Sequence, residues 1–182
     1  MSHPPEGHHS PTLEDRFRHV RMLLCDVDGV LTDASVFMGG ESEVKRFNIR
    51  DGLGIKLLQR EGIKVGWVSN RPSYATTLRA TELKIDYVFQ AEGSKVEAID
   101  GILKKANMAW ADICYIGDDV VDLGALQSAG IGVAPADATA EACEMADYVT
   151  KRNGGYGAVR EVVEMILRAQ GRWEKVIKRY LP

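Results

Sequence analysis

Histidine is missing from most of this chain. All four histidines, His3, His8, His9 and His19, precede residue 20. If the body folds from about residue 21, it has no imidazole for a Ser-His triad, a histidine-rich metal site or a histidine general base. We therefore expect carboxylates, lysines or tyrosines to carry any acid–base chemistry in the folded body.

Cysteine is scarce, and long apolar runs are absent. Cys25, Cys114 and Cys143 are odd in number and far apart, which fits neither a disulfide framework nor a zinc ribbon. No apolar run approaches the ~20 residues that span a bilayer, and residues 1–12 lack the apolar core of an export signal. These absences predict a cytoplasmic protein with reduced thiols and no membrane partner.

The chain also lacks an excess of positive charge. Lys and Arg number 23 against 26 Asp and Glu, a formal net charge of −3. This balance argues against a nucleic-acid partner, which would need a basic face. A chain of 182 residues that is 45% hydrophobic can bury one sizeable core. We expect residues 1–20 to be a disordered or loosely ordered tail and residues 21–182 to form a single domain.

Apolar runs of strand length alternate with helical patterns along the body. Repeated strand–helix–strand units predict an α/β fold, a three-layer open parallel sheet of Rossmann-like type with helices on both faces. The predicted strands are 22–26, 64–69, 87–89, 113–117 and 130–134. The predicted helices are 53–61, 73–83, 94–106, 120–129 and 158–169, followed by an amphipathic segment at 173–181.

One segment interrupts this alternation. Residues 34–48 read as two short strands around Gly39-Gly40, a β-hairpin placed directly after the first strand. Ligands bind beyond the carboxyl ends of the strands in open α/β sheets. We therefore expect the hairpin to act as a flap over a site at this edge.

Acidic side chains follow two of the predicted strands. Asp26 and Asp28 end the first strand, and Asp118, Asp119 and Asp122 follow the strand at 113–117. In a parallel sheet both groups lie at the carboxyl edge, where clustered like charges are costly without a cation. The two groups together predict an oxygen-rich site for Mg²⁺ and a substrate phosphate.

Two further residues stand at the ends of other strands. Ser69 closes the strand at 64–69, and Lys95 opens the helix after Gly93-Ser94. A hydroxyl, an ammonium and backbone N–H groups can hold phosphoryl oxygens while charge redistributes. Taken alone, Ser69 reads as a turn residue and Lys95 as a solvated lysine; their conjunction with the acidic groups favours chemistry.

These four motifs resemble those of the haloacid dehalogenase superfamily of phosphotransferases over residues 21–168. The matching residues are Asp26-x-Asp28, Ser69, Lys95 and Gly117-Asp118-Asp119-x-x-Asp122. The second motif differs slightly, because Ser69-Asn70-Arg71 stands where Thr-Gly-Arg is usual. The resemblance implies that Asp26 is the nucleophile and Asp28 the general acid and base, with Ser69 and Lys95 completing the catalytic set.

The resemblance also implies a metal site and an oligomer. Mg²⁺ would bind Asp26, the Asp28 backbone carbonyl and Asp118, with Asp119 acting through water and Asp122 bracing the loop. Only 17 residues separate Asp33 from Asp51 and 25 separate Ser69 from Lys95, which leaves no room for the cap domain that superfamily members usually carry. In such capless relatives a homotetramer closes the site, with a neighbouring chain and the hairpin covering it.

A narrower likeness concerns the substrate. The segments 26–33, 47–52, 115–119 and 154–161 are similar to those of the 3-deoxy-D-manno-octulosonate 8-phosphate phosphatases, which act in lipopolysaccharide synthesis. Arg50, Arg71 and Arg79 match arginines that this family uses for its small sugar-acid phosphate, and Asp28, Asp51, Gly52 and Lys95 join the implied substrate-binding set. Three alternatives stay open: a phosphatase for nine-carbon ulosonate 9-phosphates, a phosphoacceptor domain, and a regulatory domain without activity.

Overall fold

A parallel sheet forms the centre of the molecule. The computed structural model describes residues 11–39 and 42–182. The strands of this part of the chain are β1 Met22–Cys25, β2 Phe37–Gly39, β3 Ser42–Val44, β4 Lys64–Ser69, β5 Tyr87–Gln90, β6 Ile113–Ile116, β7 Ile131–Ala134 and β8 Tyr148–Val149. Six of them form one sheet in the order β5-β4-β1-β6-β7-β8, and every neighbouring pair in it is parallel. The predicted open parallel sheet is thereby confirmed.

Helices cover both faces of this sheet. They are α1 Leu13–Arg18, α2 Ile49–Arg60, α3 Tyr74–Leu83, α4 Lys95–Ala106, α5 Leu123–Ser128, α6 Ala140–Met145, α7 Ala158–Ala169 and α8 Trp173–Lys178. Side chains of α1, α2, α3, α7 and α8 share one apolar core with alternate residues of β1, β4, β6 and β7. Side chains of α4, α5 and α6 share a second core with the opposite face of the sheet. Strands buried on both faces explain why the sequence shows continuous apolar runs rather than alternation.

The chain order changes direction at β1. From β1 the sheet grows outward through β4 to β5, and then on the other side of β1 through β6 and β7 to β8. The backbone N–H of Asp26 still pairs with the Ile116 carbonyl at 2.9 Å, so this residue leaves the sheet between two neighbouring strands. Such a reversal opens a crevice at the carboxyl edge, where open α/β sheets bind ligands.

The predicted hairpin is present beside this edge. β2 and β3 pair antiparallel, with Phe37 opposite Val44 and Gly39 opposite Ser42. β2 is exposed along its whole length. In the part of the chain that the structure describes, no helix is long and apolar enough to span a membrane.

The predicted tail is wrong between residues 11 and 20. Thr12 and Asp15 form a capping box that starts α1, and Phe17 is buried in the core. The Arg16 guanidinium donates to the Gly130 carbonyl at 2.6 and 2.9 Å and pairs with Asp147 at 2.7 Å. Residues 1–10 of the predicted tail lie outside the described residues.

Smaller differences concern the second half of the sheet. The helix predicted at 120–129 is a 3₁₀ turn at Val120–Asp122 followed by the short helix α5. Helix α6 and the two-residue strand β8 are not among the predicted elements. Both are too short to show a helical or strand period, and they form because β7 offers them an edge and an apolar face.

Candidate active site

A buried acidic cluster lies at the carboxyl edge of β1 and β6. One carboxylate oxygen from each of Asp26, Asp118 and Asp122 lies within 4.8 Å of the others. Lys95, at the first position of α4, places its Nζ 2.9 Å from Asp26 Oδ1 and 2.6 Å from Asp122 Oδ1. The structure therefore brings together the first, third and fourth motifs.

Asp122 holds the loop after β6 in shape. Its Oδ2 accepts the backbone N–H groups of Asp118 and Asp119 at 3.1 and 3.2 Å. Its Oδ1 accepts from Lys95 and from the Tyr115 hydroxyl. The Asp119 side chain accepts from Val120 N at 2.7 Å. Asp122 is thus fully satisfied, and Asp118 is left directed at the cluster.

The residues fit a divalent cation. Asp118 Oδ1 is buried and has no hydrogen-bond partner among residues 11–39 and 42–182. The backbone of Gly29 lies so close that a Cβ there would be 1.9 Å from Asp118 Oδ2, and its φ of +92° also favours glycine. Clustered carboxylates with an unsatisfied oxygen are the donors that Mg²⁺ prefers.

The pKa values of the carboxyl groups in the cluster also indicate a shortage of positive charge. Burial raises the pKa of Asp26 to about 6, although the nearby Lys95 ammonium acts to lower it. Burial, together with repulsion from Asp26 and Asp122, raises the pKa of Asp118 to about 8. One ammonium thus does not balance three clustered carboxylates, two of them buried, and a cation would offset their repulsion.

Ser69 and Asn70 shape the loop after β4. Ser69 is buried, and its Oγ accepts from Arg71 N at 3.1 Å while it lies 3.2 Å from the Arg71 carbonyl. Asn70, the departure from the usual glycine, donates through Nδ2 to the Gly93 carbonyl at 2.9 Å. This bond ties the second-motif loop to the turn that precedes Lys95.

Two charged residues of the hairpin segment reach the site and were missed by the sequence analysis. Lys45 Nζ lies 2.7 Å from Asp28 Oδ1 and donates to Asp28 Oδ2 at 2.9 Å. Glu43 accepts from the Arg71 guanidinium and from the Ser73 hydroxyl. Glu43 and Lys45 are two residues apart at the end of a strand, so they share a face; that spacing was the one signal available in the sequence.

The three arginines occupy different surroundings. Arg71 pairs with Glu43, and Arg79 pairs with Glu82 at 2.7 Å. Arg79 also lies over Gly52, where a Cβ would come within 2.4 Å of its guanidinium. Arg50 lines a cleft of about 990 Å³ whose other cationic residues are Lys151, Arg152, Arg160 and Arg168. Of these three arginines, Arg71 therefore contacts the hairpin, through Glu43 of β3.

Asp51 lies inside the protein. It is 1% exposed, and its Oδ1 accepts the backbone N–H of Arg160, in the first turn of α7, at 2.7 Å. Burial raises the pKa of Asp51 to about 6, against the lowering effect of the Arg160 and Gly157 N–H groups. Asp51 therefore contacts the start of α7, where its carboxylate accepts from backbone N–H groups that have no partner within the helix.

Comparison with known proteins agrees with this geometry. The family model of haloacid dehalogenase-like hydrolases matches residues 85–163. The 3-deoxy-D-manno-octulosonate 8-phosphate phosphatase of Salmonella typhimurium is 37% identical over 167 residues, which are 91% of this chain and 89% of that protein. The corresponding protein of Escherichia coli strain K12 is 38% identical over 158 residues, which are 86% of this chain and 84% of that protein.

Solved structures give the same result. The phosphatase of that name from Moraxella catarrhalis, in complex with a magnesium ion, a phosphate ion and a KDO molecule, superposes with a TM-score of 0.91 at 35% identity, covering 94% of this chain and 99% of that one. The cobalt-bound phosphatase from Haemophilus influenzae gives a TM-score of 0.84 at 38% identity, covering 87% of this chain and 93% of that one.

Fold and site together define a haloacid dehalogenase-like hydrolase. The carboxylates stand at the ends of the central strands, and Lys95 joins them from the start of α4. Relatives at 37–38% identity over most of the chain make the assignment narrower. The chain belongs to the family of 3-deoxy-D-manno-octulosonate 8-phosphate phosphatases, which are phosphoric monoester hydrolases.

Proposed function

We propose that this chain is a Mg²⁺-dependent phosphatase that hydrolyses 3-deoxy-D-manno-octulosonate 8-phosphate to 3-deoxy-D-manno-octulosonate and phosphate. The observation that carries the proposal is Asp26 at the end of the central strand, 2.9 Å from a buried lysine and within 4.8 Å of two further carboxylates. The choice of substrate comes from the relatives, which are named as phosphatases of this ester. Their similarity extends over most of the length of this chain.

The reaction proceeds in two displacements. An Asp26 carboxylate oxygen attacks phosphorus, the bond from phosphorus to the sugar oxygen breaks, and Asp28 gives that oxygen a proton. A water then attacks the aspartyl phosphate, loses its proton to Asp28, and frees Asp26 and phosphate. Lys95 and Ser69 would hold the phosphoryl oxygens as their charge changes, which is how electrostatic preorganisation lowers such barriers.

The metal ligands in this proposal are the Asp26 carboxylate, the Asp28 backbone carbonyl and Asp118, with Asp119 acting through water. When bound, Mg²⁺ would offset the repulsion between the anionic nucleophile and the anionic ester. The unsatisfied Asp118 Oδ1 supports this set. Asp122 keeps the loop in place through its bonds to the Asp118 and Asp119 N–H groups.

Arginine supports a sugar-acid substrate. The octulosonate carries a carboxylate, which a guanidinium binds with two parallel hydrogen bonds. We assign Arg50, Arg71 and Arg79 to the substrate, together with Asp51 and Gly52 of the same segment. Two of these residues would act on the substrate indirectly. Gly52 leaves space for the Arg79 guanidinium, and Asp51 fixes the start of α7.

A homotetramer is the assembly we propose. Phe37, Met38 and Val44 of the hairpin are exposed apolar side chains, at 62%, 77% and 60% of their full surface. Contiguous apolar surface of this kind is typical of protein interfaces. A neighbouring copy seated there would close the site that a capless phosphatase leaves open. In light scattering we expect the mass of a tetramer for the wild type and smaller species for the double change Phe37→Ser with Met38→Ser. A monomeric wild type would contradict the tetramer, and an unchanged mass in the variant would contradict the hairpin as its interface.

We further propose a single phosphatase domain and a cytoplasmic enzyme of lipopolysaccharide biosynthesis. The substrate is an intracellular sugar-acid ester in this assignment, and the three cysteines, two of them buried, are all free thiols. Reduced thiols are the rule in a reducing compartment.

The deciding experiment is phosphate release with Mg²⁺ and then with EDTA. The substrates are the octulosonate 8-phosphate, a nine-carbon ulosonate 9-phosphate and simple sugar phosphates, and Asp26→Asn is the inactive control. We expect strong preference for the first ester, loss with EDTA, and no turnover by Asp26→Asn.

Each other outcome has a definite meaning. Preference for the nine-carbon ester would keep the phosphatase and replace the eight-carbon substrate. Full turnover by Asp26→Asn would remove the assigned nucleophile. An aspartyl phosphate that persists for minutes would favour a phosphoacceptor domain, and Mg²⁺ binding without hydrolysis of any ester would favour a regulatory one.

A further inference from the structure

Lys45 is a buried cation that takes no part in the two displacements of the proposed reaction. Its side chain is fully buried, while the carboxylate of Asp28, 2.7 Å away, remains 22% exposed. We propose that Lys45 is a positioning residue: it holds the Asp28 carboxylate in the orientation from which Asp28 exchanges a proton with the leaving sugar oxygen. The inference rests on the proposed phosphatase function and on the role of Asp28 within it.

The contacts of Lys45 define one position for its ammonium. Nζ donates to Asp28 Oδ2 at 2.9 Å and to Thr76 Oγ1 at 3.2 Å. Thr76 is itself fully buried in α3. Thr76 fixes the ammonium from one side, so the ammonium can in turn fix the Asp28 carboxylate, and a charge-assisted hydrogen bond is directional enough to select one rotamer of Asp28.

The hairpin segment supplies the rigidity that this role needs. Glu43, two residues before Lys45, pairs with Arg71 and Ser73. Ser73 in turn caps α3 by accepting from Thr76 N at 3.2 Å. Lys45 is therefore anchored through its own strand and through Thr76 to the same helix, so its ammonium has little freedom to move away from Asp28.

The chemistry distinguishes a positioning role from a merely structural one. An alkyl ester such as a sugar phosphate has a strongly basic leaving oxygen, which needs the Asp28 proton as the bond to phosphorus breaks. An aryl ester such as p-nitrophenyl phosphate has a weakly basic leaving oxygen that departs without it. General acid catalysis is worth about 10²- to 10⁴-fold, so misplacing Asp28 should penalise the alkyl ester selectively.

The test compares the two esters through kcat/KM, which reports the steps up to departure of the leaving group. Lys45→Met is expected to lower kcat/KM for the sugar phosphate about 100-fold and for p-nitrophenyl phosphate less than about 10-fold. Lys45→Arg, which keeps the charge, should restore part of the loss for the sugar phosphate. Lys104→Met is the matched control, because Lys104 is exposed on α4.

Thr76→Val is the second variant, since it keeps the shape of Thr76 and removes only the hydroxyl that holds Lys45. It should show the same selective loss of kcat/KM for the sugar phosphate, but a smaller one. It also provides the test if Lys45→Met fails to fold. Equal losses on both esters, or no loss on either, would overturn the proposal. Any alkyl phosphate that the wild type hydrolyses can be used as the alkyl ester in this test. An error in the octulosonate assignment would therefore be detected separately, in the substrate preference of the wild type.

Discussion

Lys95 and Asp122 form an ion pair that is closed to solvent. Nζ and Oδ1 are 2.6 Å apart, and the two side chains are 2% and 0% exposed. Asp122 needs this cation because its charge is buried, although its other oxygen is stabilised by two backbone N–H groups. The pair therefore links the start of α4 to the loop after β6, and the same ammonium reaches Asp26 at 2.9 Å.

The first prediction concerns this lysine. Lys95→Met should lower kcat at least 100-fold, because a preorganised charge at the reacting phosphoryl group is lost. It should also lower the free energy of unfolding by about 3 kcal/mol, because Asp122 is left buried and unpaired. Phosphate release and urea unfolding measure the two effects, with Lys104→Met on the same helix as control.

A double variant separates these two effects. Lys95→Met with Asp122→Asn removes both charges, and we expect it to regain most of the stability but none of the activity. Recovery of activity in the double variant would contradict the assignment of Lys95 to the phosphoryl group.

The second prediction uses a matched pair of glycines. Gly29 and Gly62 have φ values of +92° and +82°, but only at Gly29 would a Cβ meet a neighbour, Asp118 Oδ2 at 1.9 Å. Both changes to alanine carry a similar backbone penalty, about 1 kcal/mol. We expect Gly29→Ala alone to raise the Mg²⁺ concentration for half-maximal activity, by at least about 10-fold. Equal Mg²⁺ dependence in both variants would show that Asp118 is no ligand.

The third prediction is a pH dependence of stability. The pKa of Asp51 is about 6 in the folded protein because the side chain is buried, against 3.8 for the reference carboxyl. A raised native pKa means that the protonated form favours folding. This stabilisation is complete below pH 3.8 and is lost as the pH rises to about 6.

Asp51→Asn cannot ionise and should remove this dependence. Relative to the wild type, its free energy of unfolding should rise by about 2 to 3 kcal/mol between pH 4 and pH 7.5. Urea titrations of both proteins across that range measure the difference. A constant difference between the two proteins would show that Asp51 titrates normally.

The fourth prediction tests the N-terminal helix. Phe17 is 2% exposed in the core below α7, so Phe17→Ala should cost about 3 to 5 kcal/mol of unfolding free energy. Arg18→Ala on the same helix changes an exposed side chain and should cost less than about 0.5 kcal/mol. If thermal unfolding of Phe17→Ala matched that of Arg18→Ala, α1 would not be part of the folded body.

The sequence predicted what depends on local pattern and missed what depends on distant contacts. β4 and α7 were predicted with their observed bounds, because a buried apolar run and a 3.6-residue period mark them. The proximity of Asp26, Lys95 and Asp118 could be predicted because the carboxyl ends of parallel strands lie at one edge of the sheet. In contrast, α1 depends on Phe17 reaching a core made by α7, and Lys45 depends on a hairpin folding back onto α3. The Thr12–Asp15 capping box and the Glu43–Lys45 spacing are local signals, but neither shows which distant element these residues will contact.

The double anchoring of the hairpin segment has a consequence for the rate of substrate passage. Swinging this segment away from α3 would break the Glu43 contacts and separate Lys45 from Asp28. We therefore expect the base of the hairpin to act as a fixed wall, with ester and phosphate exchanging past it, and turnover to be insensitive to solvent viscosity at this step.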